Sequence, residues 1–312
     1  MFSSVIQTTN QEVYLPILEE KKVQLFIKRE DCIHPSVSGN KFRKLKYNIL
    51  EAMRLGKSTL LTFGGAYSNH IAATAFAGNM AGFKTVGVIR GEELGNDLNK
   101  TFSKNATLEQ ASKNGMNFHF IDRETYRNKT SEGVIKKLLR QFGDFYLIPE
   151  GGTNELAIQG CEEILTKIDK EFNHVCVAVG SGGTISGLIN AAFGHQKILG
   201  FPALRGEYLE HEISSFVGQK TNWNLIHSYH FGGYAKSNVE LIRFINSFFK
   251  KTTIPLDPIY TGKMIYGILD LIKNDYFHPG SKIIAIHTGG LQGIEGYNKM
   301  QLRKKGELIH VG

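Results

Sequence analysis

Three short stretches carry side chains or glycines able to hold a ligand, each where a strand gives way to a helix. The first is Val175 to Leu188, VCVAVGSGGTISGL, in which Gly180, Ser181, Gly182, Gly183 and Thr184 link a buried-type strand to a helix. At such a junction the helix's free N–H groups and its dipole face the glycine loop and attract an anion. A Walker loop would need Gly-Lys-Ser/Thr after its spacer, and no such lysine follows. A dinucleotide fingerprint needs G-x-G-x-x-G and an acid closing the next strand, which here ends in Phe201-Pro202-Ala203. A monophosphate suits the spacing better, and a tight turn without a ligand is the alternative.

The second stretch is Thr62 to Ile71, TFGGAYSNHI, where Ser68, Asn69 and His70 crowd a helix start. Ser68 alone reads equally well as a helix cap or as a ligand group. Asn69 and His70 favour the ligand, because a cap needs only one such side chain. The third is Ser38-Gly39-Asn40-Lys41. Lys41 falls in the first turn of a helix at the edge of its apolar stripe. The positive end of the dipole and partial burial both push its amine toward the neutral, nucleophilic form, as imine chemistry requires. A lysine at a helix start is otherwise a surface residue.

The elements that must position these groups alternate between strand and helix. Strands are expected at 23–27, 58–63, 84–89, 117–121, 146–148, 174–179, 197–201 and 282–287. Helices are expected at 41–55, 68–80, 98–114, 132–142, 155–167, 184–193, 237–250 and 262–273. Phe42, Leu45, Ile49, Ala52 and Met53 form the apolar face of the first helix. The fold class is therefore α/β, with open, mostly parallel sheets covered by helices on both faces.

At 312 residues the chain has room for two domains. It contains 34 glycines, gathered at Gly64-Gly65, Gly151-Gly152, Gly180 to Gly183, Gly232-Gly233 and Gly289-Gly290, as in a site assembled from several loops. The net charge of +8 is spread out. Its densest run, Lys41, Arg43, Lys44 and Lys46, reads as a solvated helix face and not as a nucleic-acid surface. Cys32, Cys161 and Cys176 lack metal-ligand spacing and suit a reducing compartment. His227 and His230 lack the partners of a metal site, so no metal is expected. No secretory signal or bilayer-length apolar run is visible, and a cytoplasmic location is expected.

GNKFRKL at Gly39, GGAYSNH at Gly64, GSGGT at Gly180, YTGK at Tyr260 and HTGG at His287 occur in that order. Together they resemble the 1-aminocyclopropane-1-carboxylate deaminase and D-cysteine desulfhydrase family, pyridoxal phosphate enzymes of the tryptophan synthase β-subunit fold. The likeness runs from about Lys28 to Gly293. It implies a small domain at residues 44–149, a large one made of 1–43 and 150–312, and the cofactor in the cleft between them. It also implies that Lys41 forms an imine with the cofactor and carries protons. Asn69 would bond the phenolic oxygen, Gly180 to Thr184 would cradle the phosphate, and Thr288 would meet the pyridine nitrogen. Ser68 and His70 would sit by the substrate, flanked by Tyr234 and Tyr260, although FGGYAK around Tyr234 matches the family only loosely and a core tyrosine is the alternative there.

In one respect the chain departs from that pattern. The deaminases carry, after the tyrosine that aligns with Tyr260, a glutamate that protonates the pyridine nitrogen; here the position is Thr261. The resemblance then leaves the neutral hydroxyl of Thr288 as the nitrogen's partner and the ring as a weaker electron sink. Expelling a thiolate from Cβ demands less of that sink than opening a cyclopropane. The expected reaction is α,β-elimination from a small amino acid, D-cysteine before 1-aminocyclopropane-1-carboxylate, giving a 2-oxo acid and ammonia. A cofactor-binding protein without turnover and a nucleotide-dependent oxidoreductase are the other classes. The expected partner is a small amino acid, with neither nucleic acid nor membrane, and a homodimer is the assembly to test.

Overall fold

Runs of Val, Ile, Leu and Phe bounded by turn residues build two separate sheets in the computed structural model, which describes residues 6–206 and 208–311. In chain order the strands are β1 (Asn10–Val13), β2 (Gln24–Lys28), β3 (Thr59–Gly65), β4 (Lys84–Arg90), β5 (Met116–Ile121), β6 (Tyr146–Ile148), β7 (His174–Val179), β8 (Lys197–Pro202), β9 (Trp223–Leu225) and β10 (Lys282–Ile286). One compact unit is Lys44–Ala157. The other joins Ser4–Arg43 to Ile158–Gly312.

The larger unit holds a six-stranded sheet in the order β1-β2-β10-β7-β8-β9. Its strands pair in parallel except β1, which runs antiparallel to β2 at one edge. Successive residues feed opposite faces, as the two-residue period of a strand requires. Val175, Val177 and Val179 of β7 enter one core with Ile284 and Ile286 of β10. Cys176 and Ala178 enter the other with Leu25, Ile27, Ile283 and Ala285. Both faces are covered, so the central strands are apolar throughout. The smaller unit holds β5-β4-β3-β6, all parallel. Leu61, Phe63, Val86 and Val88 form one core, while Ile71, Ala75 and Ile89 lie in another.

Several elements differ from the sequence expectation. The helix expected over 98–114 is two, Leu98–Lys104 and Ala106–Lys113, because Asn105 is extended at the junction. Its Oδ1 accepts from the Leu108 N–H at 3.1 Å, and its Nδ2 donates to the Ala66 carbonyl at 2.9 Å. The helix expected to reach Lys167 stops at Glu162, and Thr166 and Asp169 form a capping box over the next turn. The strands β1 and β9 and the helices Pro16–Glu20, Tyr208–Val217 and Gly293–Lys304 were not anticipated.

The basic run is not a solvated face. Arg43, Lys44 and Lys46 are all buried, and of the apolar stripe only Met53 is well exposed. Arg43 makes a two-point ion pair with buried Glu30, with both contacts at 2.9 Å, and also donates to the Ile6 carbonyl at 2.7 Å. Thr8 adds a 2.6 Å hydrogen bond to the same carboxylate. Lys44 donates to Thr153 Oγ1 at 2.8 Å and to the Gly151 carbonyl at 3.2 Å. Lys28 reaches both oxygens of buried Asp169 at 2.9 Å. No helix among the described residues is long and apolar enough to cross a membrane.

Removing one partner of a buried ion pair strands the other charge at a cost of about 3–5 kcal/mol. Arg43→Met is therefore expected to lower the thermal unfolding midpoint by several degrees, measured by calorimetry. An unchanged midpoint would show that Glu30 finds another partner.

Candidate active site

In the larger unit, three sequence-distant segments converge on Lys41. Lys41 is the second residue of the helix Asn40–Arg54. Half-buried, it donates from Nζ to Asn40 Oδ1 at 3.0 Å. Asn40 in turn donates from Nδ2 to Thr184 Oγ1 at 2.8 Å, tying the lysine turn to the glycine loop after β7. Gly39, at φ +66°, lies directly on the loop after β10; a Cβ there would fall 1.9 Å from the Thr288 carbonyl oxygen. The Asn40 N–H donates to that same oxygen at 3.3 Å. Only glycine allows both the positive φ and this approach of two backbones.

The glycine loop is shaped for an anion. Gly182, at φ +80°, caps the helix Gly183–Ala191, whose first N–H groups have no partner inside the helix. Thr184 is buried and Ser181 exposed. Gly180 lies against the ring of Tyr260, since a Cβ there would sit 3.3 Å from Tyr260 Cε1. Tyr234, 47% exposed, meets Tyr260 edge to face with ring centroids 6.2 Å apart. Burial, then the neighbouring Tyr234 and Asp257, hold the Tyr260 phenol well above the ordinary tyrosine range. It stays protonated at neutral pH and can donate a hydrogen bond, but it is no base.

Thr261 is fully buried, and its hydroxyl is already engaged. It donates to Asp257 Oδ1 at 2.7 Å and accepts from the Asp257 N–H at 3.0 Å. Asp257 also takes the N–H groups of Ile259 and Tyr260 on Oδ2 and that of Thr261 on Oδ1, at 2.8–2.9 Å. Four donors thus occupy one buried carboxylate at the start of the helix Thr261–Lys273. After β10, His287 donates from Nε2 to the Pro255 carbonyl at 2.7 Å and accepts the Gly289 N–H on Nδ1 at 3.3 Å, fixing the loop that carries buried Thr288.

In the smaller unit, β3 ends in the turn that leads to the helix Asn69–Met80. Ser68 occupies the cap position, but its side chain makes no capping hydrogen bond. Asn69 is half-buried at the first helical residue. His70 is 1% exposed, with Gly152 against its ring. Its Nε2 lies 2.8 Å from Thr62 Oγ1, which itself donates to the Ile148 carbonyl, so the histidine is the donor. His70 is thus held within the interior of this unit.

The structure brings Lys41, the Gly180–Thr184 loop, Tyr234, Tyr260 and Thr288 into one unit and places Ser68, Asn69 and His70 in the other. Asn40, Asn105, Asp257 and His287 support these loops; none had a role assigned from sequence, although Asn40 and His287 lie in the GNKFRKL and HTGG motifs. Asp257 had a legible signal: an aspartate ahead of a proline favours a turn in which its carboxylate takes the N–H two residues on, as it does from Ile259. The donor set suits pyridoxal phosphate. It offers an amine for the aldehyde, a glycine cradle at a helix start for the phosphate, and a neutral hydroxyl for the ring nitrogen.

Residues 8–289 match the family described as pyridoxal-phosphate dependent enzyme. A putative 1-aminocyclopropane-1-carboxylate deaminase of Pyrococcus abyssi is 31% identical, over 93% of this chain and 91% of its own. A bifunctional D-cysteine desulfhydrase/1-aminocyclopropane-1-carboxylate deaminase of Arabidopsis thaliana, mitochondrial, is also 31% identical, over 89% of this chain and 74% of its own. Among solved structures, an ACC deaminase homologue superimposes with a TM-score of 0.81 at 29% identity, covering 96% of this chain and 94% of its own. A hydrogen sulfide-producing enzyme from Fusobacterium nucleatum shares the fold, with a TM-score of 0.63 at 14% identity over 92% of this chain and 96% of its own.

The Gly39 contact yields a direct test. A methyl group at this position cannot coexist with the Thr288 carbonyl, so Gly39→Ala must displace the lysine turn, the Thr288 loop or both. The variant is expected to retain its far-ultraviolet circular dichroism but to lose the visible absorbance of bound pyridoxal phosphate. Wild-type absorbance in that variant would show that the contact does not position the site.

Proposed function

Because the chain belongs to the pyridoxal-phosphate dependent enzymes, among the 1-aminocyclopropane-1-carboxylate deaminases and D-cysteine desulfhydrases, we propose that it eliminates thiolate from D-cysteine, yielding pyruvate, ammonia and sulfide. The observation that carries this reading is the environment of Thr261. No acid stands at that position, and the nearby carboxylate of Asp257 is consumed by four donors from its own turn.

Pyridoxal phosphate, when bound, supplies an electron sink for the substrate's Cα. The protein's contribution is to hold it and to move protons. Gly180, Ser181, Gly182, Gly183 and Thr184 would hold the phosphate, Asn69 the phenolic oxygen and Thr288 the ring nitrogen. Lys41 would hold the aldehyde and take the Cα proton. Ser68, Asn69 and His70 would bind the substrate side, His70 through the turn it anchors. Tyr260, kept protonated by burial, and Tyr234 would flank the leaving group.

An uncharged hydroxyl at the ring nitrogen leaves the sink weaker than an acid would. A thiolate leaves Cβ with its bonding electrons and makes a smaller demand on that sink. Water then supplies the oxygen of pyruvate as ammonia departs. Opening of the cyclopropane amino acid is the second reading, and the names of the Pyrococcus and Arabidopsis relatives support it.

Two measurements test the proposal. Borohydride reduction followed by peptide mass spectrometry is expected to place the cofactor adduct on Lys41; an adduct on another lysine would refute that assignment. On one preparation, kcat/KM for D-cysteine is expected to exceed that for 1-aminocyclopropane-1-carboxylate by at least roughly tenfold, about 1.4 kcal/mol in transition-state stabilisation. The reverse order would establish the second reading.

A further inference from the structure

Lys263 is the third residue of the helix Thr261–Lys273 and is 2% exposed. A buried ammonium in the first turn of a helix is disfavoured both by lost hydration and by the positive end of the dipole. Burial pushes this amine down to about 8. An apolar side chain would fill the space at less cost, so the amine must be needed for its contacts. Nζ donates to the His230 carbonyl at 2.8 Å and to the Gly233 carbonyl at 2.9 Å.

Those carbonyls flank a loop of unusual backbone, otherwise held by the Phe231 ring against Tyr266 and by the Gly232 N–H on His230 Nδ1 at 2.9 Å. Phe231, Gly232, Gly233 and Ala235 all have positive φ, and two of them are not glycine. Such residues cost energy and persist only where surrounding contacts impose the conformation. Within the loop, the Gly233 N–H donates to the His230 carbonyl at 3.0 Å and the Lys236 N–H to the Gly233 carbonyl at 3.1 Å. Lys263 therefore grips the same two oxygens that close the loop's own turns. Inside the second of those turns stands Tyr234, whose ring meets Tyr260. Tyr260 immediately precedes the helix that carries Lys263.

We propose that Lys263 is a positioning residue for Tyr234: by clamping the His230 and Gly233 carbonyls to the helix behind Tyr260, it fixes the Tyr234 hydroxyl in place. The link to turnover rests on the reading above, in which Tyr234 and Tyr260 flank the substrate. The clamp itself rests only on geometry.

The test uses holoenzyme carrying Lys263→Met, with Lys263→Gln as a milder variant that keeps N–H donors. Hydrogen exchange at the Gly233 and Lys236 amides is expected to quicken at least tenfold in Lys263→Met and by less in Lys263→Gln, with cofactor absorbance unchanged. Turnover of D-cysteine is expected to show kcat lowered about tenfold with KM little altered. Lys263→Met combined with Tyr234→Phe should be no slower than Tyr234→Phe alone, because both act through one hydroxyl. Should Lys263→Met not fold, Lys263→Gln carries the same comparisons.

Wild-type exchange at Gly233 and Lys236 in a folded variant would overturn the clamp. A double variant slowed by the full product of the single effects would overturn its action through Tyr234. If Tyr234→Phe alone leaves kcat unchanged, the catalytic reading of Tyr234 falls, while the exchange rates still decide the clamp.

Discussion

The contact between Gly39 and the Thr288 carbonyl is the constraint on which the larger unit's half of the site depends. It brings the turn before Lys41 against the loop after β10 with no side chain between them. Everything else there is arranged around that approach. Asn40 reaches sideways to Thr184, so the glycine loop after β7 is referenced to the same turn. Glu30 holds the turn from the other side, accepting the Gly39 N–H on its backbone oxygen while its carboxylate anchors Arg43. The Lys41 turn, the Gly180–Thr184 loop and the backbone at Thr288 are thereby tied together by short polar links and a backbone contact instead of by side-chain packing alone.

Buried charge is the second theme. Arg43, Lys28, Lys44 and Lys263 are all withdrawn from water, and each meets a carboxylate or a pair of oxygen acceptors. Such groups add little net stability, because desolvation offsets most of their attraction. Their effect is directional. Each joins segments far apart in sequence, and each would be costly to leave unpaired, so alternative arrangements of those loops are penalised.

The sheets were legible because Val175 to Val179 and Ile283 to Ile286 are apolar on both faces and bounded by glycine or polar residues. The glycine loop stood out from its place between a buried-type strand and a helix, whereas Lys41 was set apart from a surface lysine only through the resemblance of GNKFRKL. What escaped depended on partners remote in sequence. Nothing near Arg43 or Lys44 announces Glu30, Gly151 or Thr153, so a basic helical run read as solvated. Asn105 reads as one polar residue in a helix until its bond to Ala66 is seen. The helix Tyr208–Val217 is a different case: Leu209, Ile213 and Val217 repeat every four residues and are buried, so its signal lay within the sequence.

The four donors gathered by Asp257 also bear on which residues position 261 can accept. An acid introduced at position 261 would remove the Thr261 hydroxyl from Asp257 and set a second negative charge beside a carboxylate with no exposure to water. Exchange at 261 is therefore epistatic with 257. A lineage moving between a neutral and an acidic residue there must rebuild the turn that starts the helix Thr261–Lys273, and a one-residue path crosses a destabilised intermediate. The identity of residue 261 and the stability of a helix start are inherited together.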